Sequence, residues 1–352
     1  METYPDRLDK KEFFLEVFNI DPSEFEKTGL KWDELRKIYD DHIKNIPILY
    51  EAGQFILNNL IKIKKVHSVR FRVKDPSHLI EKIIRKKIED PTKEYTLENY
   101  QQTVTDLIGV RALHLFKDSW ITIHKYINDT WELHEPPTVY YRAGDDKEVI
   151  EKFEASGCSP KEHPFGYRSV HYIIKSRPSK KEHLAEIQVR TLYEEAWSEI
   201  DHQIRYPYET DNEILNQFLQ VLNRLSGSAD EMGTFIRKLQ VQLKKKDKEI
   251  TEQKDIVASL NKKLEQKNIS TDDLDKIREQ VKEIKIPSLK FDKSILDTLR
   301  RISEQPSVSY PKKINIASYL TDEDRKSLTE KFLARKKEQG NKGTPEKPSD
   351  SK

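Results

Sequence analysis

A single cysteine, Cys158, is present in the 352 residues. No intramolecular disulfide can form, which suits a chain working in a reducing compartment. Long apolar runs are missing too: no stretch approaches the ~18 consecutive apolar residues of a membrane-spanning helix. The N-terminus, Met1-Glu2-Thr3-Tyr4-Pro5-Asp6, is acidic and lacks the apolar run of a secretory signal. A cytoplasmic location is the resulting expectation. Net charge is also scarce. A formal +2 gives no global sign of a nucleic-acid partner, so local basic clusters must be judged separately. What the chain has in excess is charge of both signs, 35% of residues against 35% hydrophobic. That balance is charge-rich for a globular protein and predicts long solvated helices or tails outside the core.

Apolar periodicity divides the chain. Residues 9–60 read as helices, with Phe13, Phe14, Val17 and Phe18 on one stripe. A second stripe, Trp32, Leu35, Tyr39, His42 and Ile46, is expected to break at Pro47. Over 61–208 the pattern changes. Val66 to Val73 alternates like a half-buried strand, and Leu107 to Phe116, Trp131 to Arg142, Val170 to Lys175 and Leu184 to Val189 supply further strands. Helices are expected over 76–87, 119–128 and 191–204. About five strands interleaved with helices predict an α/β or α+β sheet domain.

Residues 212–236 are helical with one apolar face. From Ile236 a heptad seam follows, through Leu239, Leu243, Lys246, Ile250, Gln253, Val257, Leu260 and Leu264. Helical spacing resumes at Leu274, Ile277, Val281 and Ile284 until Pro287, so a helical hairpin and a dimeric coiled coil are both open. The expected organisation is a helical segment over 1–60, a sheet domain over 61–235, a coiled coil or hairpin over 236–286, short helices over 287–338 and a disordered tail over 339–352. A capping box is read at Thr321-Asp322-Glu323-Asp324.

Four segments carry candidate chemistry. Strand alternation puts Arg70, Arg72 and Lys74 on one face, with Ser77, Lys82 and Arg85 on the helix that follows. Such cations repel one another unless an anion or an aromatic ring joins them; a solvated basic edge is the plain alternative. Asp106, at the mouth of the apolar strand Leu107-Ile108-Gly109-Val110-Arg111, is held rigidly enough to suit a hard cation, or pairs with Arg111. Phe165-Gly166-Tyr167-Arg168-Ser169-Val170-His171 exposes a ring that can stack on a base. In Glu186-Ile187-Gln188-Val189-Arg190-Thr191 the polar residues share the face opposite Ile187 and Val189. Asp106 and Glu186 on one sheet could share a metal, or divide metal binding and proton transfer between them. The spacing of Cys158, His163 and His171 is not that of a structural zinc site.

Together these segments resemble the synthetase domain of the RelA/SpoT family. Its pattern of Arg-x-Lys, Asp-x-x-Gly-x-Arg, Gly-Tyr-Arg-Ser-x-His, Glu-Ile-Gln-x-Arg-Thr and a late acidic–His pair before a Tyr appears here in order. The residues are Arg72/Lys74, Asp106/Gly109/Arg111, Gly166 to His171, Glu186 to Thr191, and Asp201-His202 with Tyr206. The resemblance implies a nucleotidyltransferase-like mixed sheet flanked by helices. It implies transfer of the β,γ-pyrophosphate of ATP to the 3′-hydroxyl of GDP or GTP, with Mg²⁺ as cofactor. Arg72 and Arg111 would then sandwich adenine, and Lys74, Ser77, Lys82 and Arg85 would hold the triphosphate. Asp106 and Glu186 would bind Mg²⁺, with Glu186 the general base. Tyr167 would stack on the acceptor base, with Arg168, His171 and Gln188 beside the acceptor.

Two departures matter. Small synthetases of the family usually carry Lys-Pro-Asn before Gly-Tyr, where this chain has His163-Pro164-Phe165, with Lys161 nearby. The upstream segment has no hydrolase His-Asp motif, and about 60 residues are too few for such a domain, so synthesis without hydrolysis is expected. The helical extension also resembles a branch containing toxins that pyrophosphorylate the 3′ CCA end of tRNA. In that alternative Lys62, Lys64, Lys65, Lys86 and Lys87 would grip the phosphate backbone, and the C-terminal segment around Tyr310 would restrain the site.

Overall fold

The computed structural model describes residues 10–145, 147–205, 212–264 and 275–276. Tyr206, the second arm at Leu274 to Ile284 apart from residues 275–276, the short helices and capping box of 287–338, Tyr310 and the tail all lie outside these residues.

Three helices open the chain: α1 (Lys11–Val17), α2 (Pro22–Lys27) and α3 (Trp32–Leu60). Pro47 was expected to end a helix, yet α3 runs through it. Pro47 is exposed, so water can reach the carbonyl its missing N–H leaves unpaired. On the other side Leu35, Ile38, Tyr39 and His42 continue in phase into Leu49, Ala52, Ile56 and Leu60, all buried. That unbroken apolar stripe outweighs the proline, whose penalty is about 3 kcal/mol.

The sheet comprises β1 (Ser68–Val73), β2 (Ile108–His114), β3 (Glu132–Leu133), β4 (Thr138–Tyr141), β5 (Ser159–Glu162), β6 (Ser169–Ser176) and β7 (His183–Thr191). Its order is β1-β2-β7-β6-β4-β5, with β3 paired to β6. The β2–β7 and β4–β5 pairs are parallel and the others antiparallel, so this is a mixed sheet. Between the strands lie α4 (Pro76–Glu89), α5 (Tyr100–Thr103), α6 (Trp120–Thr130) and α7 (Lys147–Ala155). After β7 come α8 (Leu192–Arg205) and the 52-residue α9 (Glu213–Leu264). The class is α+β.

Register gives the two faces opposite characters. Phe71, Val110, Ile187 and Tyr172 form one row across β1, β2, β7 and β6, and Val69, Ala112, Val189 and Val170 form the next. Most of these are fully buried, and α3 and α6 pack against this sheet. The approach of α3 is close enough that a Cβ on Gly53 would sit 2.4 Å from the Phe71 ring. Interleaved with those rows, on the opposite face, are Arg70, Arg111, Gln188 and His171, then Arg72, Gly109 and Glu186. One period-2 pattern thus fills a core on one side and gathers the candidate residues on the other.

The helix α9 crosses residues 235 and 236 without a break. Leu219, Asn223, Asp230 and Phe235 are buried, while Phe218, Leu225, Met232 and Ile236 are exposed. No described helix is long and apolar enough to cross a membrane.

Candidate active site

The donor-side cations meet at one carboxylate. Lys74 leaves the end of β1, and its backbone N–H donates to Leu107 O at 2.9 Å, fixing it beside the start of β2. His42, fully buried on α3, is 2.7 Å from the Lys74 carbonyl through Nε2. From this double anchor Lys74 Nζ reaches Asp106 Oδ2 at 2.9 Å, and Lys82 Nζ on α4 reaches the same oxygen at 2.8 Å. Asp75 caps α4 by accepting from the amides of Ser77 and His78, which sets the helix direction that brings Lys82 over.

Burial would raise the Asp106 pKa, but the two ammonium groups prevail and hold it at about 2. Lys74 shifts downward because burial penalises its charge more than Asp106 repays it. Asp106 Oδ1 is buried and has no hydrogen-bond partner. A carboxylate oxygen oriented this way fits a divalent cation.

Glu186 lies on β7, in register with Gly109. Its Oε1 is 3.0 Å from His171 Nδ1, and its Oε2 accepts from Gln188 Nε2 at 2.8 Å. Burial again pushes its pKa upward, yet the hydrogen bond and charge of His171 bring it below the usual value, against repulsion from Asp106. His171 Nε2 is 2.9 Å from the Tyr167 hydroxyl. A carboxylate can only accept, so His171 carries a proton on Nδ1 toward Glu186. Tyr140 and His163 surround Tyr167 with ring centroids 5.8 and 5.3 Å away. His163, at the position where the family usually has Lys, is shifted toward its neutral form by burial. This side is therefore walled by rings.

The expected arginines are placed unequally. Arg72 is exposed and extends over Gly109, where a Cβ would lie 3.8 Å from Arg72 Cγ. Arg111 is opposite Arg70, and both are bound by α8. Arg70 pairs with Glu195 at 2.5 Å and Glu199 at 2.9 Å, while Arg111 pairs with Glu195 at 3.0 Å and also with Glu199. Arg85 bonds Glu81 and Glu89 on its own helix, at 3.2 and 2.9 Å. Arg168 is clamped by Asp145, at 2.5 and 2.8 Å, and by Glu194 at 3.0 Å. Burial opposes the charge of Arg168, but the two carboxylates raise its pKa overall.

Several contributors were not assigned from sequence. Glu195 and Glu199 are one helical turn apart on α8, a spacing that could have been read. Asp145 and Asn223 had no such signal. Asn223, on α9, donates to Gly166 O at 3.0 Å, and Gly166 itself has φ +76°. Among the described residues no group of three or more His, Cys, Asp or Glu side chains could hold a metal. Two carboxylates completed by substrate phosphates remain compatible with Mg²⁺, which usually takes only one or two carboxylates.

Part of the chain is similar to known proteins. The family model of the region found in RelA and SpoT proteins matches residues 71–211, the stretch that contains every residue of the cluster except His42 and Arg70 from its edge and Asn223 from α9. The match is to that region and not to the chain as a whole. The GTP pyrophosphokinase YwaC of Bacillus subtilis (strain 168) is 27% identical over 194 residues, covering 51% of this chain and 81% of that protein. The crystal structure of small alarmone synthetase 1 from Bacillus subtilis aligns at 24% identity over 58% of this chain and 98% of that one, with a TM-score of 0.43. A GTP pyrophosphokinase family protein from Streptococcus pneumoniae aligns at 21% identity over 60% and 96%, with a TM-score of 0.38. Within the matched residues Arg72, Gly109, Arg111, His171, Glu186 and Gln188 share one face of the sheet.

Proposed function

We propose that this chain is an ATP-dependent pyrophosphokinase that transfers the β,γ-pyrophosphate of ATP to the 3′-hydroxyl of GDP or GTP. The observation that carries the reading is Asp106: a carboxylate held ionised by Lys74 and Lys82, with its second oxygen buried and unpaired. The name of the relative YwaC, a GTP pyrophosphokinase, supports the same activity.

Lys74 and Lys82 neutralise the triphosphate, with Ser77 in the first turn of α4 beside them. Arg85 joins by leaving Glu81 or Glu89. Arg72 and Arg111 stack on adenine, since a guanidinium keeps its charge and stacks flat. Arg111 first exchanges the carboxylates of α8 for the base. Tyr167 offers its ring to the acceptor base, with His171 beside the ribose.

Glu186 takes the proton of the acceptor 3′-hydroxyl. That oxygen bonds to the β-phosphorus, the bond from the β-phosphorus to the α,β-bridging oxygen breaks, and AMP leaves with the electron pair. Gln188 and His171 orient the Glu186 oxygens. Asp106 and Glu186 would hold Mg²⁺, which when bound supplies charge neutralisation at the phosphates. The chemistry asks mainly for positioning and cations, and the site is built of both.

The test is product analysis with labelled ATP and Mg²⁺, offering GDP, GTP and tRNA side by side, followed by incubation of the product alone. A 3′-pyrophosphorylated guanine nucleotide that then persists is the expected outcome. Label on tRNA alone would replace the acceptor with the CCA end, and decay of the product would refute synthesis without hydrolysis.

A further inference from the structure

Arg190 touches both halves of the site. Its side chain is only 2% exposed. Toward the acceptor side, its guanidinium carbon lies 5.4 Å from the Tyr167 ring centroid, and Nη1 donates to the Tyr167 hydroxyl at 3.2 Å. Toward the donor side, Nη2 is 2.5 Å from Glu195 Oε2. The other oxygen of Glu195 holds Arg70 and Arg111. Nη1 also donates to Ser198 Oγ at 2.8 Å, which fixes the group to α8.

Arg190 can only donate, so the Tyr167 hydroxyl accepts from it; the same hydroxyl is 2.9 Å from His171 Nε2, whose Nδ1–H faces Glu186. Arg190 thereby holds the hydroxyl through which Tyr167 meets His171. The opposite end is unfinished. Arg190 Nη2 and Glu195 Oε2 are close but misaligned, and both are buried atoms without a hydrogen bond, as is Arg190 Nε. The same carboxylate carries Arg70 and Arg111 on Oε1.

We infer that Arg190 is a positioning residue through which occupancy of the donor side sets the acceptor side. This rests on the pyrophosphokinase reading. When Arg111 leaves Glu195 to stack on adenine, Glu195 loses a competing cation and turns its free oxygen into line with Arg190. The buried guanidinium gains the hydrogen bond it lacks. Its contact with Tyr167 is held more firmly, and the acceptor meets a platform already oriented. Donor binding then tightens acceptor binding, and by linkage acceptor binding tightens donor binding by the same factor.

The experiment is calorimetric titration of the full chain with GDP in Mg²⁺, with and without a saturating α,β-methylene analogue of ATP. The wild type is expected to bind GDP about fivefold or more tightly in the presence of the analogue. Tyr167→Phe removes the hydroxyl that Arg190 meets, so the ratio should fall to about one whatever its effect on GDP binding alone. Glu195→Gln should lower the ratio from the other end, and Arg190→Lys should keep the charge but not the ratio. If Glu195→Gln or Arg190→Lys does not fold, Tyr167→Phe decides. A wild-type ratio of one, or an unchanged ratio in Tyr167→Phe, overturns the inference while leaving the pyrophosphokinase reading intact. Failure of the wild type to bind either nucleotide overturns that reading, and the inference with it.

Discussion

Lys74 and Asp106 face each other at 2.9 Å with side chains only 10% and 16% exposed. Lys82 approaches the same carboxylate oxygen, so a single anion stabilises two largely buried cations. Asp106→Asn keeps the shape and removes the charge, leaving Lys74 and Lys82 to repel each other. Stability should fall by about 3 kcal/mol, because breaking a buried pair leaves uncompensated charge. Activity should fall at least about a hundredfold as the expected Mg²⁺ ligand is lost. Denaturant titration and a product assay check the two effects separately. Full activity in a stable Asp106→Asn protein would remove this residue from the chemistry.

Glu186 differs in that its partners are neutral or neutralisable. Glu186→Gln retains an oxygen for His171 Nδ1–H, so the fold should survive with a loss of stability of about 1–2 kcal/mol, the scale of one altered hydrogen bond. Turnover should drop about a thousandfold or more, since an amide can neither take the hydroxyl proton nor bind a cation strongly. A circular dichroism melt beside the product assay distinguishes loss of function from loss of fold. Retained turnover would refute the assignment of base and metal ligand.

The donor motifs and the two-faced sheet were legible because strand alternation is local: once β1, β2 and β7 are recognised, Arg72, Glu186 and Gln188 must share a side. Other features depend on packing at a distance. Pro47 reads as a stop, and only the buried stripe continuing from His42 to Leu49 explains why the helix goes on. Strand β5, Ser-Pro-Lys-Glu, has no apolar alternation and takes its conformation from pairing with β4. Arg168 sits inside a recognisable motif, yet its partners Asp145 and Glu194 lie 23 and 26 residues away in sequence. No local pattern could show that its donors are already committed.

That commitment makes Arg168 sensitive to a change on a different element. A Cβ on Gly227 of α9 would lie 2.8 Å from Arg168 Nη1. Flexible arginine tips normally move aside, but this one is pinned by two carboxylates. Gly227→Ala should therefore destabilise the protein by about 1–3 kcal/mol, the usual cost of overpacking, despite the better helix propensity of alanine. Chemical denaturation of the full chain measures it. A stabilised Gly227→Ala protein would show that the Arg168 clamp yields easily.

Asp230 offers a pH-dependent test of how α9 is seated. It is fully buried on α9; Thr191 Oγ1 donates to its Oδ2 at 3.0 Å, and Oδ1 has no hydrogen-bond partner. Burial, aided by Glu194 and opposed by Lys117 and Arg168, raises its pKa from 3.8 to about 7. Between those values the folded protein holds a proton that the unfolded chain releases, so this group makes stability fall as pH rises from about 4 to about 7 and level off above. Asp230→Asn has no proton to lose and should remove that slope. The variant should gain stability over wild type at pH 8 by on the order of a few kcal/mol, and much less at pH 5. Thermal melts of both proteins across this range make the comparison. An equal difference at every pH would mean that Asp230 stays ionised within the fold, with Lys117 and Arg168 outweighing its burial.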